Sequence, residues 1–268
     1  MYYQQFLPNQ ALQGCVKYFW ILESEASELV HKSFQIIPDG SPGLVFQESR
    51  AFTDHIGNPL PQLFIYGQTT THAQQKVKGS FKTIGVYFHP HGIQSIFGID
   101  AQHVTNQNIA VSDFLDEAYL SEQLSYAESD RERIRLVSNF LLKCFVKNRN
   151  NTDNLADLAV SHIVAKRGTS SLSDFHQHYS VSKRTLERKF LQSIGVSAKF
   201  FARLARFQSA LDSIRQGNFN KLSDVAYAHD YADQCHFIRD FKEFSGSTPK
   251  HFINQYKETV SNFPELLT

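Results

Sequence analysis

Ser182 to Phe201 reads SKRTLERKFLQSIGVSAKFF. Moved 51 positions along the chain, it meets a second version of itself at 233–252, DQCHFIRDFKEFSGSTPKHF. Arg188 falls on Arg239, Phe190 on Phe241, Gly195 on Gly246, Lys199 on Lys250 and Phe201 on Phe252. Leu186 meets Phe237 and Ser197 meets Thr248, like for like. An internal repeat marks a supersecondary unit used twice. In the first copy Leu186, Phe190 and Ile194 stand at i, i+4 and i+8, so they share one helix face and point into a core. Arg184, Glu187, Arg188 and Leu191 are left on the opposite face, flanked by Lys183, Thr185, Lys189 and Gln192. In the second copy Phe237 and Phe241 are the inward pair, and Gln234, Cys235, Ile238, Arg239 and Lys242 face out.

Each copy follows a short helical segment and a tight turn: 172–179 with Tyr179-Ser180-Val181, then LSDVAYAHDY with Tyr231-Ala232. That is a helix-turn-helix plan, whose second helix, here 182–194 and 233–245, enters the major groove of DNA. Arg bonds guanine O6 and N7 together, Glu accepts from the cytosine amine, Gln pairs with adenine, and Ile238 or Cys235 suits a thymine methyl. Two readers joined by a stiff helix at 198–216 are expected to reach successive grooves of double-stranded DNA, about 34 Å apart.

Charge supports the first copy as the source of affinity. Residues 1–151 hold 12 Lys and Arg against 14 Asp and Glu, whereas 152–268 hold 15 against 12. Within 172–215 the ratio is 8 to 3, a local cluster of the kind a phosphate backbone attracts. Three scattered cysteines and no secretory or membrane-length apolar run predict a cytoplasmic protein with no membrane partner.

The rest of the chain predicts an α+β protein. Residues 1–120 read as a β-rich domain, a small antiparallel sandwich or barrel. SFQIIPDGSPGLVFQ carries a strand-turn-strand signature, LFIYG is strand-like, and QQKVKG with KTIGVYFH forms a candidate pair turning at Gly79-Ser80. Residues 121–150 are helical, with Ser129 as N-cap and an apolar stripe of Ile134, Val137, Leu141, Leu142 and Phe145, suited to packing or to a dimer. The polar run KNRNNTDN at 147–154 marks a boundary. About seven helices fit 155–257, the first packing Leu155, Leu158, Ala159, Ile163 and Val164.

Over 155–256 the sequence resembles the AraC/XylS family of transcription regulators, most closely at DQCHFIRDFKEFSGSTPKHF and SKRTLERKF. The resemblance implies a double helix-turn-helix domain that binds promoters, usually as an activator beside RNA polymerase. It makes Arg184, Glu187 and Arg188 base readers, with Gln234, Cys235, Ile238 and Arg239 as counterparts, and gives Arg206 of the linker helix a structural or phosphate role. Many members carry Gly-Phe where this chain has Asp230-Tyr231, a change that should leave the fold undisturbed. Residues 1–120 are similar, through IIPDGSPGLVF, YGQTT and IGVYFHPHGIQSIFGI, to the often cupin-like sensor domains of the same family. That implies a small-molecule effector and a homodimer.

Two other classes compete. His89-Pro90-His91 resembles the metal pair of cupin enzymes, but no carboxylate follows before Asp100 and only His103 is nearby, so a strand end is expected. With no GxSxG, Walker A or GxGxxG, neither enzyme activity nor a cofactor is expected. An architectural, sequence-independent DNA binder is the other alternative. QTTTHAQQ at 68–75 reads as an exposed loop rather than a pocket wall.

Overall fold

A computed structural model describes residues 1–25, 31–54, 56–115, 118–148, 154–169, 172–217 and 219–258. Among these residues nine strands build two antiparallel sheets: β1 (Tyr2–Phe6), β2 (Val16–Ser24), β3 (His31–Ile36), β4 (Gly43–Gln47), β5 (Phe52–Thr53), β6 (Leu63–Tyr66), β7 (Ala73–Lys78), β8 (Phe81–Phe88) and β9 (Asn108–Ala110). The larger runs β1-β2-β8-β4-β6-β9 and the smaller β3-β7-β5. The strand-turn-strand expected around Pro38-Asp39-Gly40 is present, and the pairing departs from the sequence reading once, at the pair expected around Gly79-Ser80. Strands β3 and β4 flank the Pro38-Asp39-Gly40 turn yet belong to different sheets, and so do β7 and β8 around Gly79. A turn reverses the chain without fixing a partner. Here β8 is apolar on both faces and takes the sheet centre between β2 and β4, whereas β7 alternates polar and apolar and suits the outer sheet. The 68–75 segment also differs, because Gln68 is buried and Ala73 onward is β7.

The side chains of the large sheet alternate between two cores. Phe19, Ile21, Leu44, Phe46, Ile65, Ile84, Val86 and Phe88 face helices α1 (Gly92–Phe97), α2 (Ala118–Tyr126) and α3 (Asp130–Asn148). Helix α3, started by Ser129 accepting from Glu132 N–H at 3.2 Å, adds Val137, Phe140, Leu141 and Cys144 to that core. Its other edge, with Leu136, Leu142 and Val146, borders a shallow groove against α2. The opposite sheet face, through Trp20, Leu22, Phe64 and Phe81, meets Phe34, Phe52 and Val77 of the small sheet.

Residues 149–153 of the expected boundary lie outside the described residues. Beyond them run seven described helices: α4 (Asn154–Ala165), α5 (Leu172–His178), α6 (Lys183–Ile194), α7 (Ala198–Gln216), α8 (Leu222–Ala228), α9 (Gln234–Ser245) and α10 (Pro249–Glu258). They make two small cores that share α7. Ala198 and Phe201 join α4, α5 and α6, whereas Leu204, Phe207, Ala210, Leu211 and Ile214 join α8, α9 and α10. Leu158 and Val164, expected inside, are 42% and 55% exposed, because α4 turns Ala156, Ala159, Val160 and Ile163 inward instead.

Candidate nucleic-acid interface

The repeat holds atom by atom. Ser182 caps α6 by accepting from Thr185 N–H at 3.1 Å, and Asp233 caps α9 by accepting from His236 N–H at 2.7 Å. Gly195 and Gly246 end them in the left-handed region at φ 90° and 76°. The next caps repeat as well: Ser197 accepts from Phe200 N–H at 3.0 Å and Thr248 from His251 N–H at 3.4 Å. Leu186 and Phe237, Phe190 and Phe241, and Phe201 and Phe252 are buried pairwise. The turns differ by one residue, with Ser180 at φ 49° two places before its cap and Asp230 at φ 53° three places before. An aspartate tolerates that left-handed backbone, so Asp230-Tyr231 stands where many AraC/XylS members have Gly-Phe, and Tyr231 still packs edge-on against Phe237 at 5.2 Å.

Lys183, Arg184 and Arg188 of α6 are exposed, and Thr185, Glu187 and Gln192 are half-buried. Thr185 shares its hydroxyl with Ser182 at 2.9 Å. Gln234, Cys235, Arg239 and Lys242 of α9 are exposed, and Ile238 is half-buried against its own core. Among the described residues none of Lys183, Arg184, Glu187, Arg188, Arg239 or Lys242 forms an ion pair. The framework cations behave oppositely. Arg203 of α7 donates to Asp240 at 2.7 Å and Glu243 at 2.8 Å, both on α9, and lies 5.4 Å from the centre of the Phe244 ring. Arg206 donates to the carbonyls of Gly168 at 3.1 Å and Asp230 at 3.5 Å, and stacks over Tyr231 at 5.5 Å. Arg206 therefore ties one unit to the other. The Arg203–Asp240 clamp escaped the sequence reading. Its signal was an acidic residue at 240, on the inward stripe of Phe237, Phe241 and Phe244.

The β-rich half grips the end of each reader helix. Thr105 Oγ1 donates to Gly195 O at 2.7 Å, and Ser193 Oγ to Gln94 Oε1. On the other reader, His72 Nδ1 meets Glu243 O at 3.2 Å and Gln35 donates to Ser245 O. Both N-terminal halves, which carry the outward side chains, stay free of these contacts.

The His89-Pro90-His91 motif is one of these joints. His91 Nδ1 meets Asp157 Oδ1 of α4 at 2.8 Å and Nε2 meets Gly14 O at 2.9 Å, so neither nitrogen is left for a metal. Burial pulls the His91 imidazole down, but the Asp157 carboxylate and the Cys15 thiol outweigh it and hold it up at about 10. His89 is lowered, by burial and by Lys17. No group of three or more His, Cys, Asp or Glu able to hold a metal occurs among the described residues, nor does a helix long and apolar enough to cross a membrane.

Residues 175–255 match the family described as a helix-turn-helix domain, and residues 4–110 match a domain of unknown function (DUF6597). Uncharacterized HTH-type transcriptional regulators of Staphylococcus aureus are 28% identical over 82 residues, 31% of this chain and 11% of theirs. The chain thus spans about a tenth of the length of these curated relatives. Among solved structures, ToxT from Vibrio cholerae shares 17% identity, with 88% of this chain and 98% of that one covered and a TM-score of 0.45. An unsaturated fatty acid bound form of ToxT from Vibrio cholerae gives 14%, 88%, 94% and 0.45. The C-terminal domain of AraT, a response regulator from Geobacillus stearothermophilus, gives 19%, 38%, 86% and 0.36. Two equivalently capped helix-turn-helix units share one linker helix, and the segment that contains both reader helices matches a helix-turn-helix domain family, so residues 175–255 form a helix-turn-helix domain.

Proposed function

We propose that this chain is a sequence-specific transcription regulator of the cytoplasm that reads double-stranded promoter DNA with α6 and α9. One observation carries the reading: among the described residues Lys183, Arg184, Arg188, Arg239 and Lys242 form no ion pair, while Arg203 and Arg206, equally cationic, are consumed in the framework. Arg184 and Arg188 suit guanine and Glu187 suits the cytosine amine, while Gln234 suits adenine, Cys235 and Ile238 face a thymine methyl, and Arg239 anchors the second reader. Lys183, Thr185, Gln192 and Lys242 border these faces and position the phosphate backbone. The β-rich half takes a small-molecule effector, and its hold on both reader ends gives that effector a route to the DNA face. On the same reading the protein acts as an activator beside RNA polymerase, as a homodimer.

Selection of bound DNA from a random pool, followed by band shifts at stated salt, tests this. A defined site is expected. Arg184→Ala and Glu187→Ala should each relax preference at particular base pairs by about 1–3 kcal/mol. No enriched sequence, or equal weakening on every sequence, would show the architectural binder instead.

A further inference from the structure

The two helix-turn-helix units are joined at a short loop as well as through α7. Helix α4 ends at Ala165, and Lys166, Arg167 and Gly168 close it, with Gly168 N–H donating to Ile163 O at 2.8 Å. Gly168 is left-handed at φ 71° and lies so close to α7 that a Cβ would strike Ala202 O and Arg206 N. Arg206 then donates to Gly168 O at 3.1 Å and to Asp230 O at 3.5 Å. One guanidinium thus holds this loop beside the turn that leads into α9.

Lys166 and Arg167 are both exposed, and among the described residues neither forms an ion pair. Arg167 has φ 52°. A side chain is strained there, and glycine or asparagine is the relaxed occupant. Strain of this kind concentrates at binding sites. The negative end of α4 favours a cation but does not call for a strained one.

The loop lies on the side of α7 that faces away from the β-rich half. At about 100° per residue, Phe201, Leu204 and Gln208 share one face of α7, and Ala202 and Arg206 lie about 140° round from it. The first face meets the β-rich half: Phe201 and Leu204 rest against Gly40, Gln208 donates to Pro38 O, and Ile37 packs among the residues of the second helix-turn-helix core. Gly168 sits on the second. The β-rich half also grips both readers at their C-terminal ends, so the loop and the free N-terminal halves of α6 and α9 share the side it leaves open. Successive major grooves lie about 34 Å apart, and the sugar-phosphate backbone passes between them. A protein seated in both grooves presents its junction to that backbone. Asp230 of the neighbouring turn is exposed and acidic, but the two cations outweigh it.

We infer that Arg167 and Lys166 bind the phosphate backbone between the two grooves. This deepens the regulator reading above and rests on it. Such a contact carries no base preference; it fixes where the second reader sits along the duplex.

Arg167→Gly separates contact from strain, because glycine relaxes φ 52° while removing the charge. The full chain is titrated by band shift with the DNA selected from a random pool, across a range of salt, with urea denaturation alongside. Arg167→Gly should bind about three- to tenfold more weakly on every sequence alike, and the slope of log affinity against log salt should flatten by about 0.9. Its urea midpoint should not fall. Lys166→Gln should flatten the slope by a similar step, and Arg167→Lys should keep it. Arg167→Asn, also at ease in a left-handed backbone, repeats the measurement should glycine loosen the loop. An unchanged slope in both Arg167→Gly and Arg167→Asn, or a loss confined to particular base pairs, would overturn the inference. An unchanged slope with a lower urea midpoint would make Arg167 a helix cap alone. Specific DNA binding by the unaltered chain beside those unchanged slopes sinks this contact and leaves the regulator reading. A flattened slope on a chain without sequence preference does the reverse, and no DNA binding at all sinks both.

Discussion

Replacing Arg203 by Met tests whether α7 sets the second reader helix by charge. Asp240 is 3% exposed in its side chain, and Arg203 Nη2 at 2.7 Å is its close cation, His236 Nε2 standing 3.8 Å away. Unit charges about 4 Å apart interact by about 4 kcal/mol at an effective dielectric of about 20. Arg203 keeps 31% of its side chain in solvent, and screening there removes about half of that. Met preserves the stem that covers Phe244, so the loss isolates the charge. Arg203→Met should therefore lower the unfolding free energy by about 2 kcal/mol, read from urea denaturation of the full chain. Glu243→Gln removes only an exposed partner and should cost under about 0.5 kcal/mol. Adding Asp240→Asn to Arg203→Met should recover about 1–2 kcal/mol, because the stranded carboxylate is gone. Additive single effects, or a loss under about 0.5 kcal/mol, would refute the clamp.

Gly168→Ala should cost at least about 2 kcal/mol by the same assay, since φ is 71° and a Cβ would collide with Ala202 O of α7. Asp230→Gly relieves a φ of 53° and should add about 0.5–1 kcal/mol, provided α9 is unchanged by circular dichroism. The His91–Asp157 joint gives a signed pH dependence. The folded-state value near 10 lies above the ordinary 6.5, so the stabilisation is fully present below about pH 6.5 and lost as pH rises through 10. Between pH 7 and 9.5 stability should fall by up to about 1.4 kcal/mol per unit, and Asp157→Asn should flatten that slope. An equally steep slope in Asp157→Asn would place the titration elsewhere.

The reader helices were legible because everything that makes them is local. An N-cap, an i, i+4 apolar pair and a left-handed glycine lie within about fourteen residues, so Ser182, Phe190 and Gly195 announce α6 without the rest of the chain. Strand pairing is not local. Gly79 reports that the chain reverses but is silent on whether β7 and β8 stay together, and the answer depends on how well β2 and β4 compete for β8. Short β9 was lost for a related reason, since three residues carry no period. The joints between the halves were invisible for another: Thr105, Gln35 and His72 meet backbone carbonyls, which every residue has, so no side-chain pattern marks the partner.

On the proposed function, these differences bear on how an effector would act. Locally encoded helices form much the same reader wherever they stand, so binding in the β-rich half has little to change inside α6 or α9. What it can change is the set of long-range contacts at Gly195, Glu243 and Ser245, together with the seat of α7 against Ile37, Pro38 and Gly40. These are few, and they lie at the ends of the readers rather than on their outward faces. On the proposed function, regulation through them would alter the spacing and freedom of two unaltered readers. An effector should therefore change affinity for a two-groove site far more than affinity for either half-site alone.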